Sequence, residues 1–476
     1  MLGLFGTLGL GTRSLSVQRQ GIETAGHNLA NVNNPAYTRQ RIQVRSSNPL
    51  PTVAGPVGTG VEVTAIQQIR DALLETRIAN EGSVTGYWAA QQKSLQYGQA
   101  ALGQEIDRQA TGAEGAAAAN ATGSPLGLAE SMQDLFDGFH SIATNPSSVA
   151  ERQVLMQKAQ SLATKFNLTD ERLGQLHTQL DAQLADDVTD ANDLLAAIAA
   201  LNDDIGNAEV SGYGVANDLR DLRQEKINAL AQLVRVDTAE DATGSVSVTI
   251  NGTAFVSGNQ RTDTLALYDA GGGQMLLRAA TSGTALALTS GSMQGTIAAR
   301  DGALTTMRSD LNSLATLFIT QVNAVHSAGF SLTGSTGAAF FTGTGAADLA
   351  LNSALAGNPS LFQAAGVAGA AGDNQTALAL GQLAQIKHAS LNNQTFQQHY
   401  GQTVSALGQS LATANEQASD QSAITRLLQT QRASVSSVSL DEEMADLVKF
   451  QKAFAASAKL ITTVDELLET VVNLKR

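Results

Sequence analysis

Few residues of this 476-residue chain have the types and spacing that chemistry requires. Gly291, Ser292, Met293, Gln294 and Gly295 match Gly-x-Ser-x-Gly, in which a serine on a sharp strand-to-helix turn becomes an acyl-transfer nucleophile. That chemistry needs a preceding strand and an α/β-hydrolase setting, whereas this match follows a Gly- and Thr-rich turn in a helical chain. In a chain with 44 glycines so short a match arises by chance. The histidines, His27, His140, His177, His326, His388 and His399, are scattered without His-Glu-x-x-His or comparable ligand spacing, so surface or capping roles are expected of them. Gly343, Thr344 and Gly345 lack the third glycine of a dinucleotide fingerprint, and no Walker lysine motif occurs. Asp186 with Asp187, and Asp203 with Asp204, read as solvated helix faces rather than an acid and base pair. Without cysteine there is neither a disulfide framework nor a thiolate metal site. The expectation is a chain with no catalytic residue, no cofactor and no metal, and not an enzyme.

What the pattern does specify is packing at the two ends. An N-terminal stripe runs through Leu4, Leu8, Gly11, Leu15, Gln18, Ile22, Ala25, Leu29 and Val32, with Leu8, Leu15, Ile22 and Leu29 seven apart. It closes at Asn33, Asn34 and Pro35, where proline cannot continue a helix. The same spacing returns in Leu447, Phe450, Phe454, Ser457, Ile461, Val464, Leu468 and Val471. Ser439 with Glu442 predicts a capping box, and Asp441 to Glu443 at the start with Lys475 and Arg476 at the end suit the helix dipole. Each helix would be about 40–55 Å long. A lone helix is marginal in water unless it buries a face, so the ends are expected to pair or to pack on neighbours. The expected assembly interface is Leu8, Leu15, Ile22, Leu29, Asn31, Pro35, Leu447, Phe450, Phe454, Ile461, Val464, Leu468 and Val471. Two core helices of an ordinary globular domain are the alternative.

Composition sets outer bounds. The length allows two or three domains. Aromatics at 4% and charged residues at 15%, with abundant alanine, glycine and glutamine, favour helices with small contact residues over dense aromatic cores. A net charge of −14 argues against a nucleic-acid partner, which a lysine and arginine excess would hold. The apolar start, Met1 to Leu10, lacks a basic leader and a cleavage site, and no stretch approaches the length of a membrane span, so no membrane insertion is expected.

Between the ends the period changes several times. Arg41 to Arg45 and Val61 to Val63 form a small strand region, with Arg39, Arg41 and Arg45 on one face as a solvated edge or an acidic-partner contact. Helix is expected from Ile66 to about Asp107, a linker over residues 110–124, and mostly helix over residues 126–236. Residues 237–290 alternate with period two, and Asn251-Gly252 predicts a hairpin turn. Helix returns over residues 292–327, residues 329–375 carry little regular signal, and helices resume near Thr376. The predicted fold class is mainly α with small β modules (α+β). Its units are a terminal coiled-coil assembly domain (1–35 and 439–476), a helical body (36–236 and 292–438) and a small inserted β module (237–291).

The segment from Gly26 to Gln40, Gly-His-Asn-Leu-Ala-Asn-Val-Asn-Asn-Pro-Ala-Tyr-Thr-Arg-Gln, closely resembles the N-terminal signature of bacterial flagellar axial proteins, with Asn34-Pro35-Ala36 where Thr-Pro-Gly is usual. Ser439 to Glu443, Phe450 to Phe454 and Ala458 to Ile461 resemble the closing signature that rod and hook proteins share. Leu440-Asp441-Glu442-Glu443, Tyr37 to Gln40, Asn145-Pro146 with Arg152 and Val154-Leu155, Ile198 to Asn202, and Asn217 to Leu219 with Asp221 and Arg223 resemble the FlgK family of hook-associated proteins. So does Gly372-Asp373-Asn374 with Ala377 to Ala379, and all appear in one collinear order.

That resemblance implies a structural junction subunit between flagellar hook and filament, extracellular once exported and cytoplasmic before. Its implied partners are the hook protein, a second junction (hook-associated) protein, further copies of itself in a helical ring layer, and an export chaperone at the C-terminal helix. Another axial subunit, rod, hook or filament, is the alternative. A reduced outer domain is also expected, with only the 237–290 module and the glycine-rich 329–375 segment available for it.

Overall fold

The computed structural model describes residues 3–52, 55–102, 127–210 and 214–473. The linker expected at 110–124, and Lys475 and Arg476, lie outside the described residues.

The chain is mainly α with small antiparallel sheets, as the pattern predicted. Helix α1 (Leu4–Ala30) ends in a turn where Asn31 N donates to the His27 and Asn28 carbonyls. Strands β1 (Gln40–Ser46) and β4 (Val61–Gln68) pair antiparallel, and β2 (Leu50–Thr52) pairs with β3 (Gly55–Val57) between them. Residues 66–68, expected to open a helix, instead finish β4. Helix α2 (Ala72–Leu102) starts where the Asp71 carboxylate accepts from the amides of Leu73 and Leu74, a cap that fixes the boundary.

The body is organised around α4 (Val149–Val210), a helix of 62 residues, which at the standard rise is about 93 Å long. A helix is held in water by what it packs against, and α4 runs through two cores. Its first half packs with α3 (Leu128–Thr144) and α7 (Thr305–Ser327), and α9 (Gln375–Gln382) and α10 (Phe396–Ser436) complete that core. Its second half packs with α5 (Asn217–Leu233) and α6 (Ser292–Ala298) and shares a core with β6 (Val246–Ile250), β7 (Thr253–Ser257), β9 (Leu265–Asp269) and β10 (Met275–Ala279), while β5 (Asp237–Glu240) and β8 (Gln260–Arg261) are sheet edges. The strands therefore share a core with the helices. In the sheet β5-β6-β7-β8, Val246, Val248 and Ile250 of β6 point inward. The next turn uses Asn251 at φ 49° and Gly252 at φ 78°, the left-handed pair a two-residue hairpin needs.

The expectation of a core poor in aromatic packing is corrected. Phe136, Phe139, Phe166, Phe318, Phe340, Phe341, Phe362 and Phe396 are buried together, with Phe318 at 5.1 Å from Phe396 and 5.7 Å from Phe136. Scarce aromatics are concentrated rather than spread. Three of these rings come from the irregular 329–375 segment, whose short strands β11 (Phe341–Thr342) and β12 (Ala350–Leu351) and helix α8 (Ser353–Gly357) hold it against α7. After α10, residues 437–439 lead into α11 (Leu440–Asn473), which returns to α1.

Candidate assembly interface

Helices α1 and α11 pack antiparallel, with a register that is readable atom by atom. Gly11 lies against Ile461, Ser14 Oγ is 2.8 Å from Ser457 Oγ, Gly21 lies under the Phe450 ring, and Asn28 Nδ2 donates to Glu443 Oε2 at 3.0 Å. Ser14, Gly21 and Asn28 are seven apart, as are Ser457, Phe450 and Glu443. A Cβ on Gly21 would come 2.7 Å from the Phe450 ring, and one on Gly11 would come 2.8 Å from Ile461. Small residues thus let the helices approach closely.

The predicted N-terminal positions lie beside this seam. Leu15, Ile22 and Leu29 each follow the contact line by one residue, and Leu8 precedes Leu15 by seven, so all are displaced about 100° around the helix. All four are half-buried, while Gly11, Val17, Gly21, Thr24, Ala25 and Asn28 are buried. On α11, Val464 is buried, Leu447, Phe450, Ile461 and Leu468 are half-buried, and Phe454 and Val471 are exposed. Leu440, Met444, Val448, Leu460 and Leu467 are exposed as well. The hairpin therefore has an occupied seam and unoccupied apolar flanks.

The residues of the Asn-Pro loop fasten this hairpin to the body. Asn28, fully buried, uses its whole amide: Nδ2 donates to Gln40 O and Glu443, while Oδ1 accepts from Gln40 N at 3.0 Å and the Tyr37 hydroxyl at 2.7 Å. Arg39 donates to Glu443 at 2.7 Å and to Glu442, and its backbone N–H donates to Ser436 O. Burial works against its charge, yet the two carboxylates hold its pKa above the ordinary value. The predicted capping box is corrected here: the Glu442 carboxylate faces Arg39, and Ser439 contributes its carbonyl to Glu443 N. Of the arginine face, Arg39 meets acidic partners within the chain, Arg45 pairs with Glu62, and Arg41 is exposed.

On the body side, Thr38 donates from its backbone N–H and its hydroxyl to Asp221, at 2.8 and 2.7 Å. Burial pushes the Asp221 carboxyl up, outweighing those hydrogen bonds. Arg432 of α10 donates to the carbonyls of Pro35 and Ala36 and to Glu75. Burial, then the nearby carboxylates of Asp218, Asp221 and Glu443, keep the Tyr37 phenol protonated far above its usual range. Asn31 is half-buried and Pro35 exposed; both line a cleft of about 340 Å³ with Ile78, Asn228, Arg432 and Val438. Pattern reading missed Asn28, Tyr37, Thr38 and Asp221 as a set because Asp221, the anchor on the body, lies 183 positions from Thr38.

The chemical candidates find structural explanations. Ser292 Oγ donates to Asp187 at 3.0 Å, with no histidine base. Gly291 and Gly295 are where α6 meets its neighbours, since a Cβ would fall 2.4 Å from Leu233 O and 2.1 Å from Tyr87 O. Asp187 is buried, which corrects its reading as solvated charge. His326, His388 and His399 are buried too; His326 accepts from Gln363 N, and burial pushes its pKa down to about 4. Among the described residues no group of three or more histidine, cysteine or acidic side chains could hold a metal. No described helix is long and apolar enough to cross a membrane.

A body carried on one long helix, with both chain ends zipped beneath it and latched by an Asn-Pro loop, defines a structural subunit of the flagellar axial class, and residues 429–474 match the family model described as flagellar basal body rod FlgEFG protein C-terminal. Residues 119–341 match the model of the flagellar hook-associated protein FlgK helical domain, and the chain belongs to the FlgK family of flagellar hook-associated proteins. It is 27% identical to flagellar hook-associated protein 1 of Bacillus subtilis, over 99% of each chain. Against the protein of that name from Escherichia coli identity is 24%, covering 97% of this chain and 98% of the relative. The fold is shared with the flagellar hook junction protein FlgK of Burkholderia pseudomallei, at TM-score 0.64 and 16% identity, over 76% of this chain and 100% of that one. These relatives are flagellar structural proteins.

Proposed function

We propose that this chain is a junction subunit joining the flagellar hook to the filament, and that it assembles through the terminal hairpin. The observation that carries the reading is the hairpin itself: its seam is filled, while Leu8, Leu15, Ile22 and Leu29 on α1, and Leu440, Met444, Phe454 and Val471 on α11, remain half or fully exposed. A large side chain moved from water into a contact contributes about 1.5–3 kcal/mol when fully buried, so a few such residues offset the ordering of a subunit in a tube. The occupants of those flanks are neighbouring copies in a helical ring layer, the hook protein beneath and a second hook-associated protein above. In this reading residues 1–35 with 439–476 are the assembly domain, 36–236 with 292–438 the body, and 237–291 a β module that serves as a reduced outer domain.

The working location is outside the cell, on the flagellum, after export from the cytoplasm. Before export the C-terminal helix is covered by a chaperone. Serine substitution at Leu447, Phe454, Ile461 and Leu468 together is expected to weaken chaperone binding in a pull-down or calorimetric titration, and unchanged affinity refutes that mapping. The junction role is tested by deleting the gene. The expected phenotype is bare hooks with filament subunits shed into the medium; normal filaments on the deletion strain overturn the assignment.

A further inference from the structure

His27, in the last turn of α1, is the one residue of the latch whose side-chain type changes charge near neutral pH. The hydrogen bonds around it fix its tautomer. Asn28 Nδ2 is committed as donor to Gln40 O and Glu443, so Asn28 Oδ1 is the acceptor for the Tyr37 hydroxyl. That hydroxyl has a single proton and gives it to Asn28; toward His27 it can only accept. His27 Nδ1, 3.0 Å from the Tyr37 oxygen, must therefore carry a proton. A neutral ring then presents the bare lone pair of Nε2 to Asp218 Oδ2, 3.4 Å away on α5. Lone pair and carboxylate repel each other, whereas the protonated ring donates to Tyr37 and Asp218 together.

We propose that His27 is a proton-dependent strap between the terminal hairpin and the body: protonation closes the His27–Asp218 bridge and tightens the hairpin on α5, and deprotonation opens it. Among the described residues only Asp218 and Tyr37 are bonded or paired to the ring. Asp221 on α5 and Glu443 on α11 act on Tyr37, Arg39 is taken up by Glu442 and Glu443, and Glu23, one turn earlier on α1, is paired with Arg19. Asp218 also accepts from Gln40 Nε2 at 2.7 Å, so the strap is continuous with the Asn28 network. The inference concerns the subunit's own hinge and stands independently of where the subunit is installed.

The test uses full-length protein labelled with ¹⁵N-histidine. Neutral His27 is expected to carry its proton on Nδ1, the less common tautomer. Hydrogen exchange at the amides of residues 37–40, corrected for intrinsic rates, is expected to slow about two- to fivefold from pH 8 to 5.5, the range of an exposed ion pair. His27→Gln should abolish that trend. Asp218→Asn should reverse it, because an asparagine amide donates to the neutral Nε2 while its oxygen still accepts from Gln40. A neutral ring protonated on Nε2, or an Asp218→Asn protein with the original trend, overturns the proposal.

Discussion

The close seam between α1 and α11 makes Gly21→Ala an informative perturbation. In an exposed helix, alanine in place of glycine gains about 0.5–1 kcal/mol from propensity. At Gly21 the new Cβ would sit 2.7–2.8 Å from three atoms of the Phe450 ring, so either the ring or the helix axis must move. Overpacking of that kind costs about 1–3 kcal/mol. Gly26, five residues along the same helix, has nothing within 4 Å of its would-be Cβ and supplies the control. Propensity cancels between the two variants, so Gly26→Ala should be the more stable by about 1–3 kcal/mol. The assay is hydrogen exchange across α1 and α11 combined with thermal unfolding. Phe450→Leu in the Gly21→Ala background should recover part of the loss by making room. Equal stabilisation by both alanines would refute the close-packed register.

Two further variants probe the latch and the body. Asp221→Asn keeps an acceptor for Thr38 N and removes a buried charge. Because burial raises the folded pKa of Asp221, its carboxyl destabilises the fold above that pKa, and the penalty fades as pH falls toward the unfolded value. The variant's advantage in denaturant unfolding should therefore be largest near pH 7 and shrink toward pH 4; an advantage that grows on acidification contradicts the sign. Arg152 is fully buried, donates to the carbonyls of Pro146 and Phe362 and, among the described residues, has no carboxylate partner; burial pushes its pKa down to about 10. Arg152→Ala should lower stability by about 1–3 kcal/mol for each carbonyl left without a donor, read as a fall in thermal midpoint. An unchanged midpoint would mean those carbonyls find other donors.

Much of this architecture is legible in the residues, and the gaps have physical reasons. Long periodic stretches such as Leu304, Leu311, Leu314 and Phe318 mark their buried faces directly, and all four are buried. The terminal stripe is legible as amphipathic, but its phase is not. Hydrophobic spacing weighs large apolar residues, whereas the seam of α1 is built from Gly11, Ser14, Gly21 and Asn28, whose virtue is small size or a four-way amide. The half-buried leucines one step round the helix dominate the pattern. The irregular 329–375 segment has no periodicity to read, yet Phe340, Phe341 and Phe362 anchor it in the aromatic core. The latch depends on contacts such as Thr38 with Asp221 and Arg39 with Glu443, which a linear pattern cannot pair. The Asn-Pro signature announces the place, and the structure gives each residue its partner.

The absence of cysteine makes disulfide trapping the most direct test of assembly through the hairpin flanks. Ser14→Cys with Ser457→Cys, on hydroxyls 2.8 Å apart, should close within one subunit both free and on purified flagella. Leu15→Cys with Met444→Cys, on the unoccupied flanks, should cross-link one copy to the next on purified flagella and stay monomeric in free protein. Intermolecular bands confined to flagella are the result this account requires. Flank cysteines that remain unlinked and open to a thiol reagent in the assembled organelle would contradict it.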